Sequence, residues 1–287
     1  MVVAIGSFED RELRELLEAL RGAAAHDPYG EALDGEASHG DGWGVLIAAL
    51  DGSRSVHYRS TRPIYGEDPA RITEVIPRWA PGERIVVMAH ARAASEGSPV
   101  NLMSTHPVHA HSPWGDLYLI HNGEFLRERL GDGEDPARAL HSDTWSAAVA
   151  LASRIRGRIS RDDLEWLLGA EDAGANLGAT LLGGDSVQVV VGSHYPLLGD
   201  GRDADRERYY RLYRCDFPGG AAYASSTVAE LLTKRGCSPI RNGEFHSYVG
   251  SDAYDVWRFR WAAIGFIPRR FTGGRGGLQG SGRVGDT

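Results

Sequence analysis

Beyond Leu168 the apolar residues of this chain stop recurring at helical spacing. They arrive instead as four short runs, Asn176–Gly183, Ser186–Ser193, Tyr209–Cys215 and Ala221–Ser225, joined by turn residues such as Gly183-Gly-Asp185. Short runs in series read as strands that pair antiparallel through tight connections, and a sheet built this way needs other layers to cover it. Similar runs occur upstream, at Val2–Ile5, Arg84–Ala91 and Asp116–Ile120. Gly44–Leu50 and Ser55–Arg59 form an expected hairpin across Asp51-Gly52. Two more strands are expected near Phe245–Val249 and Val256–Trp261.

Helical stretches fall between these runs. Ser7, three residues before Asp10, is a weak capping pattern for a Leu- and Glu-rich helix to about Ala25, and others are expected at Asp68–Trp79 and Val228–Arg235. In Ser142–Arg156, residues Trp145, Ala148, Val149, Ala152 and Ile155 share one face, and Ser160 caps a helix to about Leu168. Asp27–Asp41, rich in Gly and Asp, is expected as a loop suited to act as a lid. Many antiparallel strands with paired helices define an α+β fold with helices outside two stacked sheets.

Interior linkers that would divide the chain are lacking, so residues 1–271 are expected as one domain. From Thr272 the sequence is nearly all Gly, Ser, Arg and Asp, and 272–287 is expected as a disordered tail. A net charge of −8 argues against nucleic-acid partners, which need a dense basic surface. Apolar runs stay well short of the ~20 residues of a membrane span, so no membrane partner is expected. Cys215 and Cys237, the only cysteines, cannot build a disulfide framework; free, inert thiols in a reducing cytoplasm are expected.

Chemistry concentrates between His90 and Asp143. Alternation along the strand ending at Ala91 puts His90 and Arg92 on one face, and an arginine there can hold a carboxylate through two parallel hydrogen bonds. Ser95 adds a hydroxyl, although Arg92 alone also reads as a surface arginine beside a serine turn. Asn122-Gly123 pairs a side-chain amide with an unencumbered backbone N–H, which suits an oxyanion hole; the same dipeptide is also a strong hairpin turn. Ser142-Asp143 opens a helix, which explains both residues structurally, while Asp143 can also bind an ammonium group. His106, His109 and His111 have no carboxylate or cysteine at a supporting spacing, so a structural role is favoured, and neither metal nor cofactor is expected.

In order and identity these clusters resemble the class II glutamine amidotransferase domain, an N-terminal-nucleophile (Ntn) hydrolase, and within it the stand-alone YafJ-like group. The resemblance starts at His39-Gly-Asp-Gly-Trp-Gly44, similar to that group's HxDGWG element, and extends weakly through Ala222–Ser226 and Pro239–Glu244. It implies a four-layer αββα sandwich. It also implies that Arg92 binds the α-carboxylate of glutamine, with Ser95 where the family usually has Thr, and His90 beside them in the pocket. Asn122 and Gly123 would form the oxyanion hole, and Asp143 would bind the α-amino group. Asn101 and His106-Pro107 match an Asn-x-His-Pro element interrupted here by extra residues.

One departure is serious. The family attacks with the thiol of an N-terminal cysteine whose own α-amine moves the proton. This chain opens Met1-Val2-Val3, and the family pattern would place that cysteine just upstream of Met1. The expectation is a start recorded one or a few codons late, so that the chain as written does not hydrolyse glutamine. By resemblance the function is hydrolysis of glutamine or a γ-glutamyl amide, with ammonia passed to a separate synthase subunit where there is one. The alternatives are an inactive glutamine-binding or scaffold subunit and, more remotely, a metallohydrolase on the three histidines.

Overall fold

The computed structural model describes residues 1–131, 140–183, 186–250 and 253–260. Gly184 and Asp185 of the expected turn, Trp261, and the tail at 272–287 lie outside them.

Strand β1 (Val2–Gly6) is apolar on both faces: Val2 and Ala4 pack to one side, Val3 and Ile5 to the other. Ser7 still bonds through its backbone to Gly219, so helix α1 (Asp10–Ala25) begins later than the sequence pattern suggests. Its cap is Glu9, whose N–H donates to Glu12 at 3.0 Å, rather than Ser7. The expected loop at Asp27–Asp41 contains helix α2 (Pro28–Asp34), too short to show periodicity. Asp27 caps it by accepting from the Tyr29 N–H at 3.1 Å, Pro28 fits its first turn, and Gly35 ends it at φ 77°.

The hairpin forms as expected from β2 (Trp43–Ala49) and β3 (Ser55–Ser60). Helix α3 (Pro69–Glu74) ends short of Trp79 because Pro77 follows and cannot continue a helix. Then come β4 (Ile85–Ala91), β5 (Val108–Ser112) and β6 (Gly115–Phe125), followed by α4 (Asp143–Arg154) and α5 (Arg161–Leu168), capped by Ser142 and Ser160. Strands β7 (Glu171–Leu182) and β8 (Val187–His194) lead to α6 (Asp203–Tyr210). Tyr209 and Tyr210 are therefore helical, a correction to the expected strand, which begins only at β9 (Leu212–Phe217). The chain continues through β10 (Gly220–Ser225), α7 (Ser226–Leu231), β11 (Cys237–Pro239), β12 (Glu244–Val249) and β13 (Ala253–Arg258).

Among the described residues the strands make two antiparallel sheets, ordered β11-β9-β10-β1-β4-β2-β3 and β13-β12-β8-β7-β6-β5. Three apolar layers hold them. Leu13, Leu16, Leu17 and Leu20 of α1 with Val228 of α7 cover the outer face of the first sheet, against Val2, Val45 and Val87. Ala148, Leu151 and Ala152 of α4 with Leu164 and Leu167 of α5 cover the second, against Leu117, Leu119 and Leu177. Between the sheets Val3, Met88, Ile120, Val189 and Tyr223 interlock. Each fully buried aliphatic side chain contributes ~1.5–3 kcal/mol. The result is an α+β, four-layer αββα sandwich, as expected.

Cys215 and Cys237 are direct cross-strand partners on β9 and β11 and are joined by a disulfide, which corrects the expectation of free thiols. A separation of 22 residues concealed that the two strands are neighbours. The inference from cysteine usage to a reducing compartment loses its premise. Among the described residues no helix is long and apolar enough to cross a membrane.

Candidate functional site

A cavity opens where the start of β1, the ends of β4 and β10, and the loop into α2 converge. Its wall includes Met1, Asp27, His39, His90, Asn122 and Tyr209. Two expected residues, His90 and Asn122, thus face one space.

Asn122 points between the sheets from β6, and its Oδ1 accepts from the Tyr209 hydroxyl at 3.0 Å. The tyrosine fixes the amide, leaving Nδ2 as the end available to a ligand. Burial raises the Tyr209 phenol above its usual range, so it stays a donor. Gly123 is not in a turn. It sits inside β6 at a register slip, at φ 145°, and a Cβ there would lie 1.8 Å from the Gly174 carbonyl oxygen. Gly123→Ala is therefore expected to destabilise the fold by about 3 kcal/mol or more, read as a lower urea midpoint.

The Met1 amine donates to Ser225 Oγ at 2.9 Å. Burial pulls it down to about 5, against the opposing pull of Asp27, so at neutral pH it is an unprotonated base. Asp27 is engaged by His39 Nε2 at 3.0 Å and by the Thr227 hydroxyl at 2.6 Å. Burial pushes its carboxyl up, but these bonds and the His39 charge outweigh that and leave it below the usual range. His90 Nδ1 lies 3.3 Å from His106 Nδ1, and burial holds both rings well below the usual histidine value.

Arg92 and Asp143 are not in the cavity wall, but they lie within electrostatic reach of each other; Asp143 and Asp41 partly offset the lowering of Arg92 by burial. Arg92 is buried and already donates to Pro99 O at 3.0 Å and Ser98 Oγ at 2.6 Å. A guanidinium has five N–H donors, so others remain for a carboxylate. Asp143 Oδ2 accepts from the Phe125 N–H at 2.8 Å, tying α4 to the end of β6. Beside this pair stands His121, buried, stacked on Phe125 and brought down to about 4 by burial against the pull of Asp143.

Two further expected residues, Ser95 and Asn101, also lie outside the cavity wall. Ser95 is exposed, and only its carbonyl is used, by the Ser98 N–H. Asn101 braces a loop: Oδ1 accepts from the Ser104 N–H and Nδ2 donates to the Leu140 carbonyl, both at 2.9 Å. The histidine trio separates as well. His106 faces His90, whereas His109 and His111 share Asp116 Oδ1 at 3.0 and 3.1 Å. Asp116 is the supporting carboxylate that spacing did not reveal, because it sits opposite His111 on the neighbouring strand. Among the described residues no group of three such side chains is placed to hold a metal ion.

Asp27, His39, Thr227 and Tyr209 were not singled out as site residues from sequence. His39 lay in a noticed motif, Asp27 opened an expected loop, Tyr209 opened an expected strand, and Thr227 carried no signal.

The two stacked antiparallel sheets between helix layers have the Ntn-hydrolase fold. Among solved structures the chain is similar to a glutamine phosphoribosylpyrophosphate (PRPP) amidotransferase from B. subtilis complexed with ADP and GMP, at a TM-score of 0.60 and 15% identity. It is also similar to a structure described as the allosteric regulatory enzyme of purine biosynthesis, at a TM-score of 0.58 and 15% identity. Each match covers 91% of this chain and 49% of the other, so the chain spans about half the length of these proteins. No protein-family profile and no curated protein matches it.

Proposed function

We propose that the cavity is a glutamine amidotransferase-type site that takes glutamine or a γ-glutamyl amide as substrate. The observation that carries this reading is the meeting of Asn122 with the start of β1 in one cavity, while Arg92 and Asp143 face each other's field beside it. Asn122 Nδ2 and the Gly123 N–H receive the developing oxyanion. Spare donors of Arg92 hold the α-carboxylate, and the second oxygen of Asp143 takes the α-ammonium. His90 and His106, both kept neutral by burial, line the approach without adding charge. Ser95 and Asn101 shape the loop around Arg92 rather than touch the substrate.

The attacking thiol belongs at the head of β1, at the position Met1 occupies rather than upstream of it, because that is where the low-pKa amine stands ready as base in the cavity wall. Cys215 and Cys237 do not supply it, since they are bonded to each other and outside the cavity wall. Without a thiol at that position, the site binds substrate without turning it over. With a thiol in place the product is ammonia or an amine, delivered to a separate synthase subunit.

Thermal unfolding with and without L-glutamine tests the pocket. Glutamine is expected to raise Tm for the parent chain, by the mass-action stabilisation any native-state ligand gives. Arg92→Ala should abolish that rise, because an α-carboxylate would be left without its guanidinium. A parent chain whose Tm ignores glutamine would sink the proposal.

A further inference from the structure

The register of the second sheet places one row of polar side chains toward the first sheet. Asn122 on β6 is opposite Asn176 on β7, which is opposite Ser193 on β8, which is opposite Glu244 on β12. Residues directly opposite on paired strands share a face. Three members of the row have partners: Asn122 takes the Tyr209 hydroxyl, Ser193 donates to the Tyr210 carbonyl, and Glu244 binds His246 and Arg258.

Asn176 has none. It is completely buried, and neither Oδ1 nor Nδ2 meets a hydrogen-bond partner. Leaving a buried carboxamide without a protein partner is costly, and native proteins keep such groups rarely and for a reason. Its position supplies one. Two residues further along β7, Gly178 packs so closely on β1 that a Cβ would come 2.7 Å from Val3 Cγ2. Asn176 stands just behind the cavity wall, one pleat nearer to it than Gly178 and directly across the strand pair from Asn122, which lines the cavity with Met1.

We propose that Asn176 is a substrate-binding residue that reads a primary carboxamide. The assignment rests on the amidotransferase reading above and narrows its substrate class. A free donor and a free acceptor on one planar group are matched together only by a ligand group that carries both. A carboxylate satisfies Nδ2 and repels Oδ1; an ammonium does the reverse. A primary amide answers both, and an N-alkyl amide loses an N–H and adds bulk toward the close Gly178–Val3 contact. Asn176 then spans the amide, with Oδ1 accepting from its NH2 and Nδ2 donating to its carbonyl oxygen, whose other lone pair Asn122 holds. The site thus selects glutamine itself over N-substituted γ-glutamyl amides.

Calorimetric titration of the unmodified chain, Asn176→Leu and Asn176→Ala with L-glutamine, L-glutamate and γ-glutamyl-N-ethylamide tests this. The parent is expected to prefer glutamine by about tenfold or more over the other two. Both variants should lose that preference, and Asn176→Ala should gain affinity for the ethylamide as space opens. Without ligand, Asn176→Leu should melt about 2–4 °C higher, since an unpaired polar group has been removed. Glutamine binding with unchanged preference in the variants overturns the role of Asn176 and leaves the amidotransferase reading standing. Variants that melt well below the parent would make Asn176 a structural residue and likewise overturn it. A parent that binds none of the three ligands overturns both.

Discussion

Met1→Cys, made with an initiator methionine that is removed so that the cysteine amine is free, is expected to turn this chain into a glutaminase. The head of β1 already lines the cavity with Asn122, and its amine is brought to about 5 by burial. At pH 7 that amine is neutral and can take the thiol proton, so no other base is required. Ammonia release should rise at least about 10³-fold above the parent, the scale on which removing a nucleophile acts. The sign of the pH dependence follows from the base. Its unprotonated form is the active one, so activity holds above about pH 5 and is lost as pH falls through that value. A Met1→Ser chain should stay near the parent rate, because a hydroxyl is the weaker nucleophile with the same amine.

Within that active chain, Asn122→Ala is expected to cost about 10²–10³-fold in kcat with little change in KM, the loss of one oxyanion donor of ~3–4 kcal/mol. The structure gives this prediction a control. Tyr209→Phe keeps the Asn122 amide but removes the hydroxyl that fixes its orientation. A smaller loss, on the order of tenfold, is expected there, since the donor is still present and only its aim is relaxed. Steady-state kinetics on both variants separate the two. Equal and severe losses would make Tyr209 rather than Asn122 the group acting on substrate.

The parts of this molecule that sequence revealed are those whose signal is local. Alternating strands, the Ser142 and Ser160 caps and the β2–β3 hairpin depend on neighbours a few residues away, and they form where expected. Errors arose where tertiary structure overrides local pattern. Ser7 is claimed by pairing with Gly219 before it can cap α1, and Cys215 meets Cys237 only because β9 and β11 are adjacent. Tyr209 and Tyr210 read as strand residues by type, yet the charged run before them winds as α6.

The site divides along the same line. His90 and Arg92 were legible through strand alternation and Asn122 through its pairing with Gly123, and Asn122 and His90 do face the cavity. Asn101 and Ser95 fit a motif, but their loop carries extra residues and turns them to bracing a backbone and to solvent. Asp27, Thr227 and Asn176 could not be found from sequence. Each acquires its role from a partner some 50 to 200 residues away, or from having none.

The central claim is that this chain holds a glutamine pocket whether or not it carries a thiol. Isothermal titration of the unmodified chain with L-glutamine addresses it most directly, because nothing consumes the ligand. Saturable binding of one glutamine per chain, weakened in both Arg92→Ala and Asp143→Ala, is the predicted result. An absence of saturable heat from a folded chain would contradict it.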